Sequence, residues 1–399
     1  MPRTREHRGF SLRTGWKLTP NRLTEALREL QSAGREVLDL TISNPTQAEI
    51  QHDANAILKA LANPAALEYD PQPKGLRCAR QAVADYYSCA ADTLVREVDP
   101  ESLILTTSTS EGYSDVFRLL CDPGDEVLVP KPSYPLFDFL AGLQDVNLAP
   151  YPLIYDHGWQ IDLHALKQAV TDRSRAVVVV HPNNPTGSYV SDRERRALNE
   201  LCHWHGLALI ADEVFLDYAV DGVRRTTFAA NQPVLTFTLS GLSKISALPQ
   251  MKLAWIVTSG PKLAAQAALE RLEIIADTYL SMNAPVQLAA SVLLEQRRTV
   301  QPAIMERSRL NLAELDRQLD LDSSCQRLHV EGGWYCVLRV PVRQSEEDLA
   351  INLLYQENVL AHPGHFYDFP SDGFLVLSLL TLPWRFSEGV HRLINLIGS

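Results

Sequence analysis

The sequence predicts an α/β fold: a large domain with a mostly parallel, seven-stranded-type sheet between helices, plus a smaller α+β domain. Three observations predict it. Runs such as 103–106, 176–180 and 207–211 are apolar throughout instead of alternating, as strands buried on both faces are. Helical segments such as 111–120 and 193–204 lie between such runs, the order that βαβ units produce. At 399 residues the chain exceeds what one small core serves, so two domains are expected. Their expected limits are 1–48 for an N-terminal arm and the first part of the small domain, 49–288 for the large domain, and 289–399 for the rest of the small one.

Asn21 is placed to cap a helix carrying Leu23, Ala26, Leu27 and Leu30 on one face, stopped near Gly34. Residues 37–42 read as a strand, 46–67 as amphipathic in places, 69–75 as a loop and 76–91 as a helix. Strand 103–106, a small-residue turn at 107–110 and helix 111–120 open the alternating part. Strand 126–129 is broken by the prolines at 130, 132 and 135. The valine run 176–180 leads into His181-Pro182-Asn183-Asn184-Pro185-Thr186-Gly187, and 207–211 leads into Asp212-Glu213. Strands 234–239 and 254–258 flank Lys244. A helical stretch at 264–294 is broken at 281–285; beyond it come helices 306–319, 346–357 and 388–397 and strands 330–340 and 374–380.

The net charge is −11 with no long run of one sign, which argues against nucleic acid and anionic membranes as partners. Cys78, Cys89, Cys121, Cys202, Cys325 and Cys336 form no CxxC and no zinc spacing, so they read as reduced thiols of a cytoplasmic protein. No apolar run is long enough to span a membrane. The arginine-rich first 17 residues lack the apolar centre of a secretory signal. They read as a flexible arm that packs on a neighbouring subunit or domain.

In open α/β sheets ligands bind beyond the carboxyl ends of the strands, and the polar residues of this chain fall there. Lys244 follows a buried strand among Ser240, Gly241, Ser243 and Ser246; desolvation there would lower its pKa and make it a nucleophile. Alone, it reads more readily as a solvated loop lysine, since most lysines lie at the surface. Ser108, Thr109 and Ser110 stand between a strand and a helix, where amides and hydroxyls hold a phosphate or simply cap the helix. Asp212 ends a buried strand and needs a cationic partner. Asn184 lies in a proline-fixed turn, and Tyr134 between two prolines could stack on a flat ring. Jointly these residues describe a site for an aromatic, phosphate-bearing cofactor with a protonated ring nitrogen, held covalently by Lys244.

Asn184-Pro185-Thr186-Gly187, then Ala211-Asp212-Glu213-Val214, then Ser243-Lys244 resembles, in that order, the class I/II aminotransferases, fold type I enzymes that use pyridoxal 5′-phosphate (PLP). The resemblance implies that Lys244 holds PLP as a Schiff base and shuttles the substrate proton. It implies that Asp212 pairs with the pyridinium nitrogen, that Asn184 donates to the phenolic oxygen, and that Tyr134 stacks on the ring. Ser108, Thr109, Ser110 and Ser243 would bind the phosphate. Tyr69 would reach the phosphate of a neighbouring subunit's site, and Ser281 would lie at the same interface, so an obligate homodimer with shared active sites is implied. The family's phosphate-clamping arginine is Lys252 here, its usual tyrosine after the aspartate is Phe215, and its carboxylate-gripping arginine aligns with Val376. Arg385 could replace that arginine only if residues 381–384 fold back. His362, His365, Tyr367, Trp16, Trp334 and Tyr335 could shape the pocket or simply pack.

The function these residues imply is transfer of an amino group from a small-molecule donor to a keto or aldehyde acceptor. The missing carboxylate clamp leaves a PLP-dependent lyase acting on C–S or C–O bonds as the alternative, since the site chooses which bond breaks. A PLP-holding binding module is a further alternative, and retention of Lys244, Asp212 and Asn184 together argues against it.

Overall fold

The structure, a computed structural model, describes residues 9–88, 98–223, 225–280, 282–319 and 324–398. Asn21 accepts a hydrogen bond from the Thr24 N–H and starts α1 (Arg22–Ser32), whose buried face is Leu23, Ala26 and Leu30. Then follow β1 (Leu38–Asp39), α2 (Ala54–Leu61), α3 (Arg77–Ser88), β2 (Leu103–Thr106), α4 (Thr109–Leu120), β3 (Glu126–Lys131), α5 (Phe137–Leu143), β4 (Asn147–Tyr155), β5 (Trp159–Ile161) and α6 (Leu163–Ala169). The alternation continues through β6 (Ser174–Val180), α7 (Asp192–His205), β7 (Ala208–Asp212), β8 (Thr236–Gly241), α8 (Leu242–Ile245), β9 (Ala254–Ser259) and α9 (Lys262–Thr278). The last part comprises α10 (Ala284–Leu288), α11 (Ala290–Glu295), α12 (Arg297–Leu319), β10 (Gln326–Arg327), β11 (Tyr335–Arg339), α13 (Glu346–Glu357), β12 (Val359–Leu360), β13 (His362–Pro363), β14 (Phe374–Ser378) and α14 (Pro383–Gly398).

The large sheet has the order β2-β9-β8-β7-β6-β3-β4-β5. Neighbours from β8 through β4 run parallel, whereas β9 is antiparallel to both β2 and β8. Its eighth strand, β5, pairs only with the outer half of β4. The sequence hides β4 because Pro150 and Pro152 interrupt it, and prolines belong near sheet edges.

The apolar strands serve two cores. Val177 and Val179 join Leu128, Leu209 and Ala211 on one face, and Ala176, Val178 and Val180 join Ile210, Phe237 and Leu239 on the other. Each fully buried aliphatic side chain contributes roughly 1.5–3 kcal/mol, so an apolar residue at every position is what a doubly covered sheet requires. α4, α5 and α9 cover the second face, while α3 and α11 pack over β2 and β9.

The smaller sheet has the order β10-β11-β14-β13, and β1 pairs parallel with β12 beside it. The expected strand 37–42 shortens to two residues because the Leu40 and Ile42 carbonyls accept from the Ser378 N–H and hydroxyl instead. The expected strand 330–340 begins only at Tyr335, since the Gly332 and Gly333 N–H groups donate to the Gly187 and Tyr218 carbonyls. The last helix starts earlier than expected, at Pro383, where proline's fixed φ suits a first turn.

Gly241 marks a close approach of β8 to β9. A β-carbon there would lie 2.8 Å from Ala254 Cβ and 3.0 Å from the Leu253 carbonyl oxygen. Gly241→Ala is therefore expected to cost about 1–3 kcal/mol of stability by overpacking, measured as a lower midpoint in urea unfolding.

Candidate active site

Strand register brings the site together. Thr106, Ala254 and Gly241 stand side by side across β2, β9 and β8. Asp212 pairs with Leu239 on one side and Val180 on the other. The carboxyl ends of β2, β8, β7 and β6, with the amino end of β9, thus form one edge. The turn at 107–110, Lys244, Lys252, Asp212 and Asn184 all leave the sheet at this edge.

Lys244 lies in the single turn of α8, whose chain direction Tyr218 fixes by donating its hydroxyl to the Lys244 carbonyl at 2.6 Å. The amine projects between two rings, with Nζ 4.8 Å from the Trp334 centroid and 5.4 Å from that of Phe215. Phe215 and Trp334 also touch each other edge to face at 5.2 Å. These rings exclude water, and desolvation pulls the Lys244 pKa down to about 8 against the opposing pull of the nearby Asp212 charge. Such an amine is partly unprotonated near neutrality, as a nucleophile or base must be.

Desolvation pushes Asp212 up to about 6, although three partners favour its anion. Its Oδ1 accepts from the Val214 N–H at 3.1 Å and its Oδ2 from the Tyr113 hydroxyl at 3.0 Å, and the third partner is the charge of Lys244. Asn184 is buried, and its Oδ1 has no hydrogen-bond partner among the described residues. Asn183 does the structural work of the turn by accepting from the Thr186 hydroxyl. Tyr134 is 47% exposed; burial of its phenol and the charge of Asp212 raise its pKa. It therefore reaches the same chamber from the end of β3.

Ser108 is the N-cap of α4, accepting from the Glu111 N–H at 3.1 Å. Glu111 in turn accepts from the Thr107 N–H and hydroxyl. Ser108, Thr109 and Ser110 are half-buried at this helix N-terminus, a ready anion site. Ser243 is also half-buried, whereas Lys252 is exposed and adopts a left-handed conformation at the entry to β9. Tyr69 is 79% exposed and Leu67 is 92% exposed. Within the one chain neither joins the chamber. Ser281 lies outside the described residues.

On the facing small sheet, Val376 is buried and pairs with Val337 and His362. Residues 381–384 do not fold back. α14 begins at Pro383, and Arg385 in its first turn pairs with Glu36 at 3.5 Å. His362 Nδ1 shares a hydrogen bond with the Tyr367 hydroxyl at 3.1 Å, and burial lowers the imidazole pKa. Burial raises Tyr335 to about 12. The wall facing Tyr134 is thus made of uncharged hydroxyls and an uncharged imidazole. His365 lies instead against Glu346, and Trp16 packs on Phe139. The sequence alone did not point to Tyr113 or Tyr218. Both occupy ordinary apolar positions, and only the pairing of strands and helices shows where their hydroxyls end.

This arrangement suits PLP: an amine for its aldehyde, a carboxylate for its ring nitrogen, a buried amide beside it and a helix N-terminus for its phosphate. Comparison with known proteins agrees. Residues 35–379 match the family of class I and II aminotransferases. A glutamate-pyruvate aminotransferase of Haemophilus influenzae is 29% identical over 94% of each chain. An S-alkyl-thiohydroximate lyase of Arabidopsis thaliana is 26% identical, over 78% of this chain and 68% of its own. Among solved structures, a Thermus thermophilus aspartate aminotransferase double mutant superposes with a TM-score of 0.84, at 22% identity, over 98% of this chain and 100% of its own. The chain belongs to the class I and II aminotransferase family and is a PLP-dependent aminotransferase.

Proposed function

We propose that Lys244 is the attachment point of PLP and the base that moves the substrate proton. The cofactor would be surrounded by Asp212, Asn184, Tyr134, Phe215, Ser108, Thr109, Ser110, Ser243 and Lys252. The observation that carries this reading is the half-buried amine of Lys244 held beside the Asp212 carboxylate at one sheet edge, with Asp212 bonded to Tyr113 and Val214. Bound PLP would supply an aldehyde that takes up the amino group, with release of water, and an electron-withdrawing ring that stabilises the charge left when a neighbouring proton departs. Asp212 keeps a proton on the ring nitrogen. Asn184 orients the ring through its phenolic oxygen, and the N-terminus of α4 neutralises the phosphate. Phe215 and Trp334 keep water from the amine, so Lys244 can take a proton from the substrate carbon and return it to the cofactor side.

The relatives' names favour a small amino acid as donor and a keto acid as acceptor. A lyase is the second reading, favoured by the relative that bears that name and by the uncharged wall around Val376. The exposed Leu67 and Tyr69 support a homodimer in which Tyr69 completes the partner's phosphate site. No helix among the described residues is long and apolar enough to cross a membrane. Free thiols at Cys78, Cys121, Cys202 and Cys336 suit a reducing cytoplasm. We place the large domain at residues 49–288, between the two parts of the small one.

A panel of amino donors decides the reaction. Conversion of bound PLP to its amine form is expected, while release of pyruvate and ammonia would favour the lyase. Lys244→Ala should lower transamination by roughly 10³-fold or more. In cofactor-free protein, acylation of Lys244 should be slow while the amine is protonated, rise through about pH 8 and then level off, instead of levelling near 10.5. Asp212→Asn removes an anion that favours the ammonium, so this midpoint should move lower. Light scattering should give twice the chain mass of 44.6 kDa, and a monomer would count against Tyr69 as a shared residue.

A further inference from the structure

One group holds Asp212 from behind and has no part in the chemistry above. Tyr113 is buried in α4, with its ring edge-on to Phe137 at 5.3 Å and tilted against Phe117 at 6.0 Å. Its hydroxyl donates to Asp212 Oδ2 at 3.0 Å. With the Val214 N–H on Oδ1, each carboxylate oxygen has one fixed donor from the protein. Burial and the Asp212 charge push the Tyr113 phenol pKa well above its usual value, so it stays a donor at any working pH. Helix α4 is itself seated closely, because Gly112 brings it to within contact of Leu239 and Ile256. Ser110 and Tyr113 lie one turn apart on this helix and so on one face. A single rigid element thus joins the proposed phosphate turn to the carboxylate.

We propose that Tyr113 is a positioning residue that sets where the proton rests between Asp212 and the ring nitrogen of PLP, and through it how strongly the ring withdraws electrons. The proposal rests on the reading that Asp212 faces that nitrogen. A donor to a carboxylate stabilises its anion, so the proton stays on nitrogen. Without the donor the carboxylate becomes more basic and draws the proton from nitrogen to oxygen. The other titratable groups around Asp212 are Lys244 on α8, Tyr134 after β3, His181 after β6 and, behind Tyr113, Tyr151 on β4. His181 is held neutral by burial and the tyrosines are held protonated. Of these, Lys244 alone changes charge near neutrality, and the cofactor consumes its amine.

The test uses holoenzyme loaded with PLP labelled with nitrogen-15 in the ring. The ring nitrogen's chemical shift in wild type should report a protonated nitrogen. In Tyr113→Phe it should move toward the unprotonated value, and the pH midpoint of the bound cofactor's absorbance should move by about one pH unit or more. Replacing Tyr113 by 3-fluorotyrosine, a stronger donor of nearly the same shape, should move both signals the opposite way. This arm decides the matter if Tyr113→Phe does not fold. Asp212→Asn separates the two layers of the argument. If it changes the nitrogen shift while both Tyr113 replacements leave it unchanged, the role of Tyr113 is overturned. An unchanged shift in Asp212→Asn as well would overturn the placement of Asp212 itself.

Discussion

An amine and a carboxylate that feel each other's charge are held at one sheet edge in a partly buried chamber, and each is kept available to something other than its neighbour. Left free, two such groups would close on each other, because Coulomb attraction grows as water is excluded. Asp212 resists because Tyr113 and Val214 each occupy one of its oxygens. Lys244 resists because Tyr218 fixes its backbone and two rings enclose its amine. Those five supports come from α4, from the segment after β7 and from the entry to β11. Their alignment depends on the doubly covered sheet beneath. The site is therefore a property of strand register before it is a property of any one residue.

Much of this was legible in the sequence, for a physical reason. Strands buried on both faces must be apolar at each position, so 103–106, 176–180 and 207–211 declared themselves. The residues following them, including Asp212 and Asn184, could then be placed at one edge. β4 was not legible, because its prolines carry the mark of a break while its position near the sheet edge tolerates them. The two glycines at 332 and 333 were absorbed into an expected strand, yet their N–H groups serve carbonyls on the large-sheet side. Tyr113 was silent for a different reason. An aromatic residue on the apolar face of a helix is packing by default, and only the three-dimensional pairing shows that its hydroxyl ends on a carboxylate.

Sequence and structure meet most informatively where the chain departs from its family. Phe215 in place of a tyrosine, and Val376 in place of an arginine, both lie on the small-sheet side of the chamber, among Trp334, Tyr335, Val337 and His362. Asp212 and Asn184, on the other side, keep the family pattern. The departures thus fall on both sides of the chamber: Lys252 stands at the sheet edge with Asp212 and Asn184, and Phe215 and Val376 stand toward the small sheet. An uncharged wall pays less desolvation than a guanidinium and gives up its long-range pull on anions.

The Ser378 hydroxyl donates to the carbonyl of Ile42, a residue 336 positions earlier, and Thr381 reaches back 342 positions to Asp39. These contacts close the small sheet with the first and last parts of the chain. During synthesis the segment 39–42 emerges early, whereas the Ser378 and Thr381 groups that bond to it emerge far later. The large sheet, built from nearer neighbours, can form in the meantime. The small sheet is therefore completed only once residues 378–381 are available, after the strands of the large sheet have all been made.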